Sequence, residues 1–287
     1  MTRVLVIGAT GTVGREVVLQ LAAQNVAVRA MARNPQAAAL PAHVEVVQGD
    51  LTVPETLDRC LAGIDSIFLV WTAPPAAIAP ALERILKRER RIVFLSSPYK
   101  TYHPMFQQPN PARGIHAQIE QAIESSCIEW TFLRPGMFAT NALTWWAPQI
   151  RKGNVVRWPF ASVPTAPIDP RDIAAVAVRS LCEDGHSGNE YVMTGPQSLS
   201  HSEQVQTIAQ AINRSLHFEE ISPDEARSEL LAIMPAPAIE MLLSAWATAA
   251  VGHPAFMAST VAEVTGNPPR AFIDWARDHT AEFRLRT

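Results

Sequence analysis

Glycines at positions 8, 11 and 14 follow directly on Val4 to Ile7, an unbroken run of apolar β-formers, and lead into Val13, Val17, Val18 and Leu21 at helical spacing. A strand, a tight turn and a helix are the elements that must hold them. Gly8 lets the chain reverse, Gly11 lets backbone N–H groups approach a phosphate, and Gly14 lets the helix close on the strand. Near Thr12 the helix opens with unpaired N–H groups and the positive end of its dipole, where an anion binds, a pyrophosphate best of all. Gly-x-x-Gly-x-x-Gly is a variant of the dinucleotide-binding spacing. Its strand and helix context is what sets it apart from a ligand-free glycine-rich turn.

A second strand, Val26 to Met31, leads to Ala32-Arg33-Asn34-Pro35, where the adenosine ribose of such a ligand would lie. An NAD site places Asp or Glu about 20 residues beyond the glycines, and none occurs between Glu16 and Glu45. Arg33, with Arg29 as a lesser candidate, offers a guanidinium to a 2′-phosphate, so NADP(H) is the expected cofactor. The other reading of Arg33 is a solvated turn residue ahead of a proline. The third strand, Val44 to Val47, ends in Gln48-Gly49-Asp50-Leu51. Asp50 and Leu51 border the adenine, or Asp50 only shapes a turn.

The elements that remain follow in order. Thr52 to Glu55 spells a capping box with Pro54 in the first turn of a helix through Leu61. Ile67 to Val70 is a fourth strand, ended on the ligand side by Trp71-Thr72-Ala73-Pro74, and a helix from about Ala76 to Lys87 follows. Arg91 to Leu95 is a fifth strand running into Ser96-Ser97, after which residues 98–112 have no regular pattern, as in a functional or mobile connection. The helix near Arg113 to Ser125 carries His116 and Glu120 one turn apart on one face. Trp130 to Leu133 is a sixth strand, capped by Arg134-Pro135-Gly136-Met137-Phe138. Strands alternating with helices through right-handed crossovers give a Rossmann-type, doubly wound parallel α/β sheet in the order 3-2-1-4-5-6.

Bulk properties bound the rest. The 287 residues are 48% hydrophobic with net charge −3, the two signs interspersed, which gives no footprint for nucleic acid and no basic amphipathic stretch for a membrane surface. Without an apolar run of the ~20 residues that span a bilayer or a signal-peptide pattern, a cytoplasmic protein is expected. Cys60, Cys127 and Cys182 are too few and too scattered for a disulfide framework, and the histidines lack metal-ligand spacing, so no metal is expected.

Gly-Ala-Thr-Gly-Thr-Val-Gly at 8–14, Ala-Arg-Asn-Pro at 32–35, Leu-Arg-Pro-Gly-Met-Phe at 133–138 with Asn141, and Ile-Asp-Pro-Arg-Asp-Ile at 168–173 stand in an order that resembles the NmrA-like group of atypical short-chain dehydrogenases/reductases, including its quinone-reductase-like and dye-reductase-like members. The resemblance covers the chain to about residue 220. It implies an NADP(H)-binding domain over 1–140, with contributions from about 165–195, and a smaller, mostly helical region over 141–287 that closes a substrate cleft. It also implies that Thr10, Gly11, Thr12 and Val13 touch the pyrophosphate, Arg33 the 2′-phosphate, Thr72 and Ala73 the ribose side, and Pro135, Gly136 and Phe138 the nicotinamide end.

The Tyr and Lys that many short-chain dehydrogenases pair for proton donation are missing, with Ala112 at the Tyr position and His116 at the Lys position. A similar His stands there in the quinone- and dye-reductase-like members. Quinones and conjugated cationic dyes need little or no proton donation in the hydride step, and the hydride itself comes from the cofactor. His116 is thus the first catalytic candidate, able to titrate near neutrality, or else a surface helix residue; Tyr102, Ser96 and Ser97 come after it. Farther on, Trp145 and Trp146, with Trp158, Phe160, Met105 and Phe106, would wall the nicotinamide side for a flat, apolar or aromatic substrate. The alternative is that they pack an interdomain core or the surface of a homodimer. Tyr191 to Met193 reads as a last strand, and helices are expected near Ser202–Arg214, Pro223–Ile233, Ala238–Ala250 and Arg270–Phe283. Two functions are then open: an NADPH-dependent reductase of a quinone, enone, dye or similar conjugated acceptor, and an NADP(H)-binding redox sensor without turnover.

Overall fold

The computed structural model describes residues 2–87, 91–108 and 110–284. In chain order its first half runs β1 (Arg3–Ile7), α1 (Thr12–Ala23), β2 (Ala27–Ala32), β3 (Glu45–Gln48), α2 (Leu57–Leu61), β4 (Ser66–Val70), α3 (Ile78–Ile85), β5 (Arg91–Leu95), α4 (Pro111–Glu124) and β6 (Trp130–Pro135). The second half runs α5 (Asn141–Trp145), α6 (Ala147–Ile150), β7 (Val155–Trp158), β8 (Pro164–Thr165), α7 (Pro170–Cys182), β9 (Asn189–Met193), β10 (Leu199–Ser200), α8 (His201–Ala211), β11 (His217–Glu220), α9 (Pro223–Leu230), α10 (Ala236–Ala249), α11 (Thr260–Thr265), α12 (Phe272–Asp278) and α13 (Thr280–Phe283).

Parallel pairing gives one sheet in the order β3-β2-β1-β4-β5-β6-β9. The expected six-strand order is there, and the strand read at Tyr191 to Met193 joins it as a seventh beside β6. Central strands such as Val4 to Ile7 and Ile67 to Leu69 are apolar on both faces because helices cover both. One layer of core lies under α1 and α7, around Val17, Leu21, Ile173 and Ala177; the other lies under α2, α3 and α4, around Leu57, Ile78, Leu82 and Ile119.

Other expectations need correction. No capping box forms at Thr52: its amide and hydroxyl both donate to the Asp50 carboxylate, and Pro54–Thr56 is a 3₁₀ turn ahead of α2. The helix expected over Arg270–Phe283 breaks at His279 into α12 and α13. Two small sheets, β7 with β11 and β8 with β10, and the short α11 were not anticipated. The small sheets belong to a third core, built on α5, α6, α8, α9, α10 and α12, that packs its own aromatic cluster, whereas α11 packs through Val261 into the core under α1 and α7. Among the described residues no helix is long and apolar enough to cross a membrane.

Asp169 begins α7 as its N-cap, accepting from the Arg171 amide, and the segment just before it ties the two halves together. Ile168 donates its amide to Met137 and accepts from Ala139, while the Gly136 amide donates to Met193 on β9. Residues 136–139 are therefore pinned on both sides, immediately beyond the end of β6.

Candidate active site

The strand ends β1, β2, β3, β4 and β5 open into one cleft of about 500 Å³. Gly8, Thr10, Gly11, Thr12, Val13 and Gly14 form its floor, Arg33, Asp50 and Leu51 one end, and Thr72, Ala73, Leu95 and Phe138 the other. Gly8 turns at φ +85°, a conformation that disfavours a side chain, and a Cβ there would come within 2.7 Å of the Val70 Cβ. At Gly14 a Cβ would overlap the Gly8 carbonyl, so only glycine lets α1 start this close to β1. Gly11 is the N-cap of α1 and has no side chain to satisfy the first-turn amides. Its own amide is turned inward onto the Gly8 carbonyl at 3.0 Å. A backbone cradle for an anion results, with no acidic residue in the first turn to compete.

Arg33 is exposed at the rim of this cleft. Its influence, after the hydrogen bonds donated by the Thr52 amide and hydroxyl, helps to hold the Asp50 carboxyl below its usual range. Asp50 shapes a turn and also lines the cleft. Arg29 is no rival to Arg33. It is buried in β2, paired with Glu45 at 3.0 Å and donating to the carbonyls of Arg59, Cys60 and Ala62. Its guanidinium is spent on the protein's own groups, whereas Arg33 lies just beyond the end of β2, at the open mouth of the cleft.

Beside the cleft lies a smaller pocket of about 200 Å³, lined by Ser97, Tyr99, Met105, Phe106, Pro135, Gly136, Met137 and, from α10, Met241, Leu242, Ala245 and Trp246. The two cavities share a wall. Leu95 and Phe138 face the cleft; Ser97 and Met137, two residues on and one residue back, face the pocket. Pro135 and Gly136 lie on the pocket side, where a Cβ on Gly136 would stand 3.7 Å from the Phe106 ring. The segment 98–108 roofs the pocket and is itself held down: the His103 ring contacts Phe106, His253 and Phe256, and its Nε2 lies 3.0 Å from the Pro254 carbonyl.

At the pocket's inner end Ser97 Oγ and His116 Nδ1 are 2.8 Å apart. Of the pair Ser97 lines the pocket; His116 stands behind it, edge-on to Phe94. Burial holds the imidazole below its ordinary value against the opposing charge of Glu120. Glu120, 1% exposed, is the hub of the network beneath. It accepts from Ser96 at 2.6 Å, from Tyr99 at 2.5 Å and from Arg134 at 2.7 Å, with Lys100 at 3.3 Å. Burial works against that carboxylate, but the hydrogen bonds from Arg134, Ser96 and Tyr99 prevail and hold it below its usual range. Tyr99 is pushed the other way, by burial and then by Glu120, so its hydroxyl is a structural donor and a poor acid.

Several expected site residues lie elsewhere. Tyr102 is 98% exposed at the apex of the roofing segment, and its ring lines neither cavity. Trp145 and Trp146 do not wall the pocket. Their rings pack against Trp158 and each other in the third core, and Trp145 lines a separate surface hollow. Phe106 does line the pocket, and the indole that lines it with Phe106 is Trp246. The wall from α10 carries no mark of its own in the sequence. Met241, Leu242, Ala245 and Trp246 repeat at helical spacing, and in sequence such a stripe is indistinguishable from one that packs core.

Residues 8–184 match a family model described as NAD(P)H-binding. The chain is 38% identical, over 98% of its length and 99% of the relative's, to a (4-alkanoyl-5-oxo-2,5-dihydrofuran-3-yl)methyl phosphate reductase from Streptomyces griseus subsp. griseus. It is 31% identical, over 98% of its length and 99% of the relative's, to an NAD(P)H azoreductase from Xenophilus azovorans. In fold it is similar to the triphenylmethane reductase of Citrobacter sp., with a TM-score of 0.82 at 19% identity over 98% of this chain and 100% of that one.

Proposed function

This chain belongs to the NAD(P)H-binding, NmrA-like family of atypical short-chain dehydrogenases/reductases and is an oxidoreductase, and from that premise we propose that it reduces a small, apolar, conjugated acceptor with NADPH. The observation that carries this reading is the shared wall: the glycine-floored cleft and the Met-, Phe- and Trp-lined pocket meet at residues 95–97 and 136–138. The cleft fits a dinucleotide by its uncapped helix start, by the exclusion of a Cβ at Gly14 and by its length from Arg33 to Phe138. Thr10 to Val13 would hold the pyrophosphate, Arg33 the 2′-phosphate, Asp50 and Leu51 the adenine side, Thr72 and Ala73 the ribose side, and Phe138 with Pro135 and Gly136 the nicotinamide end. When bound, the cofactor supplies the hydride.

The chain's own residues do the rest. Residues 1–140, with 165–195, place the cofactor, and 141–287 close the acceptor side, chiefly through α10. Met105, Met137 and Met241 give the pocket adaptable walls, and Phe106 and Trp246 give it flat ones. With its proton on Nδ1, His116 donates to Ser97 Oγ and leaves the Ser97 hydroxyl free to donate to a carbonyl oxygen in the pocket. An enone or unsaturated lactone, a quinone or a conjugated dye fits such a site. An alkyl or acyl tail would lie along the α10 wall.

Turnover is tested by mixing the protein with NADPH and a panel of uncharged enones, lactones, quinones and azo dyes and following loss of the reduced-nicotinamide absorbance. Oxidation with some of these acceptors is expected. Tight NADPH binding with no oxidation across the panel would refute the substrate class.

A further inference from the structure

Arg15 is the fourth residue of α1 and does not line the cofactor cleft. Its guanidinium reaches across to the segment beyond β2, where Nη1 donates to the Ala39 carbonyl at 2.7 Å and Nη2 to the Ala38 carbonyl at 3.0 Å. Ala39 is at φ +48°, in the left-handed region that a residue with a Cβ avoids. From Arg33 to Ala39 the chain makes one tight turn, with the Ala37 amide donating to Asn34 and the Ala38 amide to Pro35. Arg33 thus sits at one end of this turn, and the strained, clamped residue sits at the other. Among the described residues the Arg33 carbonyl takes only a long 3.4 Å hydrogen bond from Gln48, so the shape of the turn decides where its side chain can reach.

We propose that Arg15 is a positioning residue for cofactor choice: by clamping the 38–39 carbonyls it holds the turn in the strained shape that presents Arg33 to the 2′-phosphate. The proposal rests on the assignment of Arg33 above. The same side chain joins the helix that receives the pyrophosphate to the turn that receives the extra phosphate, so the spacing between two anion sites is fixed by one fork. A lysine could not replace it, because a single ammonium does not present two parallel donors to two successive carbonyls.

Dissociation constants for NADPH and NADH, measured by fluorescence titration, test this in Arg33→Ala, Arg15→Ala, Arg15→Lys and the double variant Arg15→Ala with Ala39→Gly. In Arg15→Ala, NADPH should bind about tenfold more weakly while NADH changes by less than about twofold, a retention that also shows the variant folded. Arg15→Lys should behave like Arg15→Ala. Ala39→Gly should restore part of the lost selectivity, since glycine holds a positive φ without a clamp. Unchanged selectivity in Arg15→Ala, equal losses for both cofactors, or a wild-type Arg15→Lys would each overturn the proposal; the last would mean that charge matters and the fork does not. Unchanged selectivity in Arg33→Ala would instead remove the assignment beneath it, whatever Arg15 does.

Discussion

Ser97 and His116 show what can be tested at single residues. Removing the hydroxyl with Ser97→Ala should lower kcat on the order of ten- to hundredfold, below what loss of an essential proton donor costs, because conjugated acceptors lean on the cofactor more than on an acid. NADPH affinity should stay put, since Ser97 lines the pocket and not the cleft. Steady-state rates together with a cofactor titration check both halves, and an unaltered kcat would mean that Ser97 is not the donor. This scale is also where the sequence was most legible. The glycines and Arg33 line the cleft where they were expected, because backbone freedom and charge show in local spacing. His116 could be found as the residue standing where a family lysine is expected, but its 2.8 Å partnership with Ser97 joins two elements and was not readable. Tyr102 misled because residue type says nothing of direction; its ring points to solvent.

At the scale of elements, α4, β5 and β6 are tied together through Glu120. Glu120→Gln should cost about 3–5 kcal/mol, the usual penalty for removing one partner of a buried ion pair, moderated by the second carboxylate that Arg134 has in Glu190. Denaturant unfolding measures this, and a loss under about 1 kcal/mol would show the network to be no more than a surface bridge. A second element, α8, begins with His201 buried among Trp146 and Trp246, where desolvation lowers its pKa from 6.5 to about 4. A depressed folded-state pKa means that the unfolded chain takes up the proton first. The stabilising contribution is therefore complete above pH 6.5 and is lost as pH falls toward 4. Thermal melts across that window should show stability falling with acid, and His201→Leu should flatten the fall; an equal slope in both proteins would contradict the assignment. Strands and helices of the sheet were legible because burial on both faces writes apolar runs into them. The capping box at Thr52 failed because a nearer acceptor, Asp50, took its hydrogen bonds, and α10 hid its function because a pocket wall and a core stripe share one pattern.

For the molecule as a whole, what matters is that two cavities built by different parts of the chain meet across residues 95–97 and 136–138. The first half's layering was foreseeable from alternating strands and helices. How the helical second half folds back was not, since Trp145, Trp146 and Trp158 pack on one another instead of over the cleft. The meeting of the cavities is tested most directly by filling the pocket alone. Ala245→Trp places a large ring into the acceptor pocket from α10 without touching the cleft. NADPH oxidation by the best acceptor of the panel, measured alongside the NADPH dissociation constant, should then fall by at least about a hundredfold with the constant unchanged. Undiminished oxidation in that variant would contradict the claim that the acceptor is reduced there.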